Sequence, residues 1–308
     1  MTDTTQTVRT PAWASPLGTT LIVVLLMLPR LAFALKFGLI GDEAYYAIWS
    51  FRPAFNYFDH SPSVAWIIWL GRMLFGESAF SVRSLFLVAD LITSAVLYRM
   101  ATLLFGRREI GAVAAIAYAV TVGVVITFSV ATPDGPSTMF WVLTLWAVAE
   151  FTRARNANWW LLAGLFAGLG LLSKYTVVFL GAGLLFYLIT SRERLGWLKL
   201  WQVWVGGLVA LLLFSPVVWI NSQRDWNSFR YQLGRSNLSD HALQLGEFSR
   251  FIVEISIQLL PTVLVFTLIG IVAFFARRAK GLALPVLTSL PMAAYFLADA
   301  LFGRVNPN

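Results

Sequence analysis

The sequence predicts an all-α polytopic membrane protein. Only 12% of its 308 residues are charged and 58% are hydrophobic, whereas soluble domains carry about 25% charged residues. Mean hydropathy is +0.74. Nine apolar runs follow one another, at 17–37, 82–105, 110–131, 136–152, 159–173, 176–190, 201–221, 251–276 and 282–302. A bilayer span needs roughly 20 residues, fewer where protein shields the helix. Lipid offers backbone groups no partner, so helices are required. Runs this continuously apolar lack the alternation of barrel strands.

The polar tail 1–16 lacks the charged start and cleavage pattern of a signal peptide, so run 17–37 reads as a retained helix. The intervals between runs then fix an orientation. Arg107 and Arg108, Arg153 and Arg155, Arg192, Arg194 and Lys199, and Arg277, Arg278 and Lys280 fall in alternate loops. The positive-inside rule assigns these loops, and the N-terminus, to the cytoplasm. The net charge of +8 is accounted for by these clusters, and no nucleic-acid partner is expected. The opposite loops, 38–81, 132–135, 174–175 and 222–250, hold Asp42, Glu43, Asp59, Glu77, Asp134, Asp225, Asp240 and Glu247. Acidic residues are thus sorted to the outer side, with Glu109, Glu150 and Glu193 as exceptions near inner ends.

The first outer loop, 38–81, is the longest. Asp42 to Ser50 reads as a short helix with aromatic residues on one side. Ser63 to Phe75 is apolar but only about 13 residues long, which suits a helix lying in the membrane interface. Between them Gly41 to Pro62, GDEAYYAIWSFRPAFNYFDHSP, packs acids and a histidine among aromatic rings.

Several residues could carry chemistry. Asp42 and Glu43 fit either caps of the next helix or, in an aromatic pocket, a general base. Asp59 and His60 fit a turn before an interfacial helix or a polar site. Asp134, in TPDGP, fits a helix start or a site residue on the same face as Asp42. Lys174 is a lone outer lysine, either snorkelling or paired with a specific anion. Arg30 lies within the first run and needs a partner, a lipid phosphate or Asp90. Arg224 and Arg250 read as interfacial charges, whereas Arg230 and Arg235 could clamp a phosphate. The chain has no cysteine, which excludes disulfides and thiolate chemistry. Its two histidines, His60 and His241, lack ligand spacing, and no metal is expected. No nucleotide-binding or hydrolase motif is present.

The segments GDEAYYAIWS, YFDHSPSVAWI, TPD at Asp134, LLSKYT and WINSQRDWNSFRYQLGR resemble membrane glycosyltransferases of the GT-C fold that use polyprenyl-phosphate sugars. The similarity is to the bacterial branch related to protein O-mannosyltransferases and to lipid A aminoarabinose and galacturonic acid transferases. It runs from Leu17 to Asn237, and the first two segments carry most of its specificity. The resemblance implies an inverting transferase in the bacterial inner membrane, active on the periplasmic face. Its donor would be a polyprenyl-phosphate sugar, its acceptor an envelope lipid, glycan or protein, and it would need no cofactor. It implies Asp42 as the catalytic base, and Glu43, Tyr46, Tyr57, Asp59, His60 and Asp134 around the donor sugar. Lys174, Arg230 and Arg235 would meet the phosphate. His60 and Ser61 stand where many relatives have lysine and proline, and an imidazole can be neutral at pH 7. Residues 17–308 read as one membrane-embedded domain, without the further C-terminal part usual in the family. The alternative is a transporter or lipid flippase. It lacks the expected internal repeats and paired broken helices, and rests on Asp90 alone.

Overall fold

The computed structural model describes residues 10–234 and 243–302, and within them the chain is helical throughout. The first helix, α1 (Pro16–Lys36), starts where Ser15 Oγ accepts the Gly18 amide at 3.0 Å and Pro16 fills the first turn. Its 21 residues rise about 32 Å, the thickness of a bilayer core. Two short helices follow, α2 (Gly41–Trp49) and α3 (Ser63–Phe75), close to the bounds expected of the first long loop. Next, α4 (Ala79–Phe105) is capped by Ser78 and ended by Gly106 at φ 70°.

The third apolar run is broken. Helices α5 (Arg108–Val120) and α6 (Val122–Ser129) meet at 65° around Thr121, whose hydroxyl donates back to the Ala117 carbonyl at 2.7 Å. Helices α7 (Asp134–Ala154) and α8 (Trp159–Leu171) come next. Then α9 (Val178–Ile189) turns sharply into α10 (Arg192–Leu195), and α11 (Trp201–Ser222) and α12 (Asn227–Gly234) follow.

The expected single span 251–276 is corrected to two helices, α13 (Leu245–Leu259) and α14 (Pro261–Phe275), at 103°. Pro261 lacks an amide hydrogen and Leu260 takes φ 64°, so the helix cannot continue. The last helix is α15 (Ala283–Phe302). Among the described residues, four helices can cross a membrane by length and composition, and up to seven spans result if each bent pair is one. The nine-run count adds α7 and the 13-residue α8, which do not qualify on that measure.

Small residues set the helix spacing. A Cβ on Gly164 of α8 would lie 2.0 Å from the Gly206 carbonyl oxygen of α11, and one on Gly183 of α9 would lie 2.1 Å from that of Thr288 in α15. Backbones in contact are a common membrane solution, because lipid supplies no hydrophobic drive between helices. The main core joins Met100, Val148, Phe151, Trp160, Leu180 and Leu287 from five helices. A second core, including Tyr46, Val64, Ile68, Phe86 and Ala131, lies beneath the first long loop. Leu21, Leu25, Leu211, Leu212 and Phe266 face outward, as expected of lipid-facing surfaces.

One polar pair is sealed among α1, α4 and α5. Arg30 Nε lies 3.4 Å from Asp90 Oδ2, and both side chains are 1% exposed. Arg30 also donates to the Leu26 and Ala119 carbonyls. Of the two partners the sequence allows for Arg30, Asp90 is therefore the one. The same pairing accounts for the carboxylate on which the transporter reading rested. The expected absence of broken helices is corrected: three helix pairs among the described residues are bent by 65°, 112° and 103°.

Candidate active site

The polar loop segments meet around one cavity of about 880 Å³. Asp42, on the first turn of α2, opens into it, as do Tyr46, Asp59 and His60. Thr132, Pro133 and Asp134 enter from the start of α7, and Lys174 from the turn after α8. Segments more than 100 residues apart thus deliver the acids and the lysine to one place.

Local chemistry explains why they meet. Ser63 N donates to the Leu172 carbonyl at 3.0 Å, Ser61 Oγ to the Leu171 carbonyl at 2.9 Å, and Ser63 Oγ to Ser173 Oγ at 2.8 Å. These bonds fasten the Asp59–His60 turn to the residues before Lys174. Ser61 contributes its hydroxyl to this fastening, a bond that proline could not make. On the other side Asn56 bonds to Ser228, Tyr175 and Asn221, each at 3.2 Å. Ser228 Oγ reaches the Tyr57 carbonyl at 2.8 Å, and Gln232 Nε2 donates to the Asp59 carbonyl. Helix α12 is thereby fixed beside the loop.

Lys174 Nζ donates to Asp134 Oδ1 at 2.6 Å. Asp134 sits at the N-terminus of α7, where the helix dipole favours an anion. Tyr45 Oη donates to Asp59 Oδ1 at 3.2 Å. The Tyr46 ring meets His60 edge-on at 5.7 Å. Burial, helped by the nearby Asp59, holds the phenols of Tyr45 and Tyr46 above the ordinary tyrosine value. Both phenols therefore remain donors. Among the described residues, no three histidines or carboxylates are grouped as a metal site would need.

Three expected contacts are not delivered to the cavity. Glu43 is 0% exposed and locked to Arg83, because the helical spacing that aims Asp42 outward turns its neighbour inward. Tyr57 stacks flat on Trp49 at 4.1 Å, and its hydroxyl accepts the Ala54 amide at 2.9 Å, so it braces the loop. Burial raises its phenol as well. Arg230 is exposed on α12 while its neighbours Tyr231 and Gln232 form the wall. Arg235 lies outside the described residues.

The sequence reading also missed a wall. Met292, Tyr295, Phe296 and Asp299 of α15 also line the cavity. A carboxylate inside an apolar run is a functional signal in its own right, and Asp299 offered it.

A family model described as dolichyl-phosphate-mannose-protein mannosyltransferase matches residues 59–220, just over half of the chain. Asp59, His60, Asp134 and Lys174 lie within the match and Asp42 precedes it. The lipid A galacturonosyltransferase RgtD of Rhizobium johnstonii is 27% identical over 207 residues, 66% of this chain and 43% of its own length. An undecaprenyl phosphate-alpha-4-amino-4-deoxy-L-arabinose arabinosyl transferase of Pseudomonas paraeruginosa is 27% identical over 206 residues, covering 63% of this chain and 36% of that protein. The chain thus spans less than half the length of these relatives. The crystal structure of ArnT from Cupriavidus metallidurans bound to undecaprenyl phosphate superposes with a TM-score of 0.71 at 17% identity, covering 94% of this chain and 57% of that one. The fold is the one that structure has.

Proposed function

This chain belongs to the dolichyl-phosphate-mannose-protein mannosyltransferase family, and from that premise we propose that it is an inverting, polyprenyl-phosphate-sugar-dependent glycosyltransferase. Its acceptor is an envelope lipid, glycan or protein, and its site faces the periplasm from the bacterial inner membrane. The observation that carries this is the convergence of Asp42, Asp59, His60, Asp134 and Lys174 on one cavity. The alternation of basic and acidic loops supports the orientation. The similarity to RgtD and to the arabinosyl transferase supports a lipid-phosphate donor and a lipid A-type acceptor.

In this mechanism Asp42 takes the proton of the acceptor hydroxyl. The oxygen attacks the anomeric carbon as the bond from that carbon to the phosphate oxygen breaks. The electron pair leaves with the polyprenyl phosphate, and one displacement inverts the configuration. Lys174 stabilises the charge growing on the phosphate, a contribution of the kind made by preorganised cations at developing anions. Tyr45 and Tyr46 present hydroxyls and ring faces to the sugar.

The test is transfer of label from radiolabelled undecaprenyl-phosphate sugars to lipid A in liposomes. Asp42→Asn is expected to lower kcat by about 10³-fold, within the range for removal of a general base, and EDTA to leave the rate unchanged. Normal turnover by the variant removes Asp42 from the mechanism. Absence of transfer from every donor removes the reading.

A further inference from the structure

Glu43 is the buried neighbour of the proposed base, and its surroundings account for every bond it can make. Oε1 accepts Arg83 Nε at 2.7 Å and the Ala131 amide at 2.9 Å. Oε2 accepts Arg83 Nη2 and the Ile40 amide, the latter at 3.2 Å. Those four bonds fill the acceptor sites of a carboxylate. Arg83 is equally saturated. Beyond Glu43 it donates to the Phe37 carbonyl at 2.7 Å, Gly38 at 2.8 Å and Phe33 at 3.5 Å, so all five of its N–H groups have acceptors. Its guanidinium lies 4.5 Å from the centre of the Phe33 ring. Neither side chain is exposed.

The bonds join four stretches of chain: the end of α1, the start of α2, the outer end of α4 and the linker into α7. Asp42 adjoins Glu43, and Asp134 lies three residues beyond Ala131. The pair therefore sits at the junction that sets the distance between the base and the Asp134–Lys174 pair. A purely packing role would be met by apolar side chains of the same volume. The carboxylate is needed because two backbone amides from separate segments converge on it, and the bidentate arginine because three carbonyls and that carboxylate converge on it.

We propose that Glu43 and Arg83 are positioning residues that hold Asp42 in register with Asp134 and Lys174. As a statement about catalysis this rests on the function proposed above; as a statement about register it stands alone. Neither residue touches the reacting atoms.

The experiment uses Glu43→Gln and Arg83→Lys in the full chain, purified in detergent. Four quantities are read: thermal midpoint, undecaprenyl phosphate affinity, amide exchange in peptides containing Ile40 and Ala131, and kcat and KM with the donor found active. Both variants are expected to fold and to bind undecaprenyl phosphate within about threefold of the parent, since binding contacts lie elsewhere. Exchange at Ile40 and Ala131 rises at least about tenfold. The parameter kcat falls about 100-fold, the cost of an ångström-scale misplacement, while KM stays within about threefold. Unchanged exchange in both peptides overturns the proposal, with or without an active donor. Raised exchange with normal kcat overturns it too, as does a fall in kcat matched by equal losses of folding and phosphate binding. If the parent turns over no donor, the function fails, and the exchange data still decide whether the pair sets the register.

Discussion

Replacing Lys174 with methionine isolates the charge assigned to the donor phosphate. Nζ lies 2.6 Å from Asp134 Oδ1, and the two side chains are 30% and 48% exposed. Partial exposure calls for an effective dielectric of about 40, between the surface value of about 20 and water. A phosphate about 4 Å from the ammonium then gains about 2 kcal/mol, and the Asp134 carboxylate about 6 Å away opposes it by about 1.4 kcal/mol. Lys174→Met should weaken undecaprenyl phosphate binding about 30-fold. Asp134→Asn alone should tighten it about tenfold, by removing the repulsion. The double variant should sit about threefold below the parent. Calorimetric titration in detergent measures all four proteins, and the differences should shrink at high salt. Binding by Lys174→Met within about twofold of the parent would refute the assignment. Weaker binding by Asp134→Asn would refute the charge arithmetic.

Two further expectations concern the frame. Arg30→Met leaves Asp90 as an unpaired buried charge and should cost about 3–5 kcal/mol, whereas Arg30→Met with Asp90→Leu should recover most of it. Denaturant titration of both variants checks this, and equal destabilisation would argue against the pair. Gly164→Ala drives a Cβ to 2.0 Å from the Gly206 carbonyl oxygen. It should cost about 1–3 kcal/mol, read as a lower thermal midpoint. Gly207→Ala, with open space at its Cβ, is the control expected to leave the midpoint unchanged.

Much of the site was legible because polar residues in so apolar a chain have few places to go. Sorting by loop put Asp42, Asp59, His60, Asp134 and Lys174 on one side, and the structure gathers all five. The α3 bounds, 63–75, were also readable, since an apolar stretch between Pro62 and Gly76 has fixed ends. What failed was whatever depended on which way a side chain turns or on a distant partner. Glu43 and Asp42 are indistinguishable by residue class, and only the α2 rotation separates them. Arg230 and Gln232 differ in the same way on α12. The break at Leu260 shows the limit of local signals. Pro29, Pro216 and Pro291 sit inside intact helices, so a proline in an apolar run was no guide. The distinguishing feature is that α13 carries Glu247, Arg250 and Glu254, and this amphipathic character suits a helix that departs from the direction of α14.

The cavity wall formed by α15 has a consequence for biogenesis. Asp42, Asp59, Asp134 and Lys174 are all present once residue 174 has been made, yet Tyr295 and Asp299 belong to the last helix described. Helix α15 packs on α9 through the tight Gly183–Thr288 approach, a docking that must wait for some 100 further residues to be synthesised. A nascent chain therefore carries these groups in a groove that lacks its α15 wall until that docking has taken place.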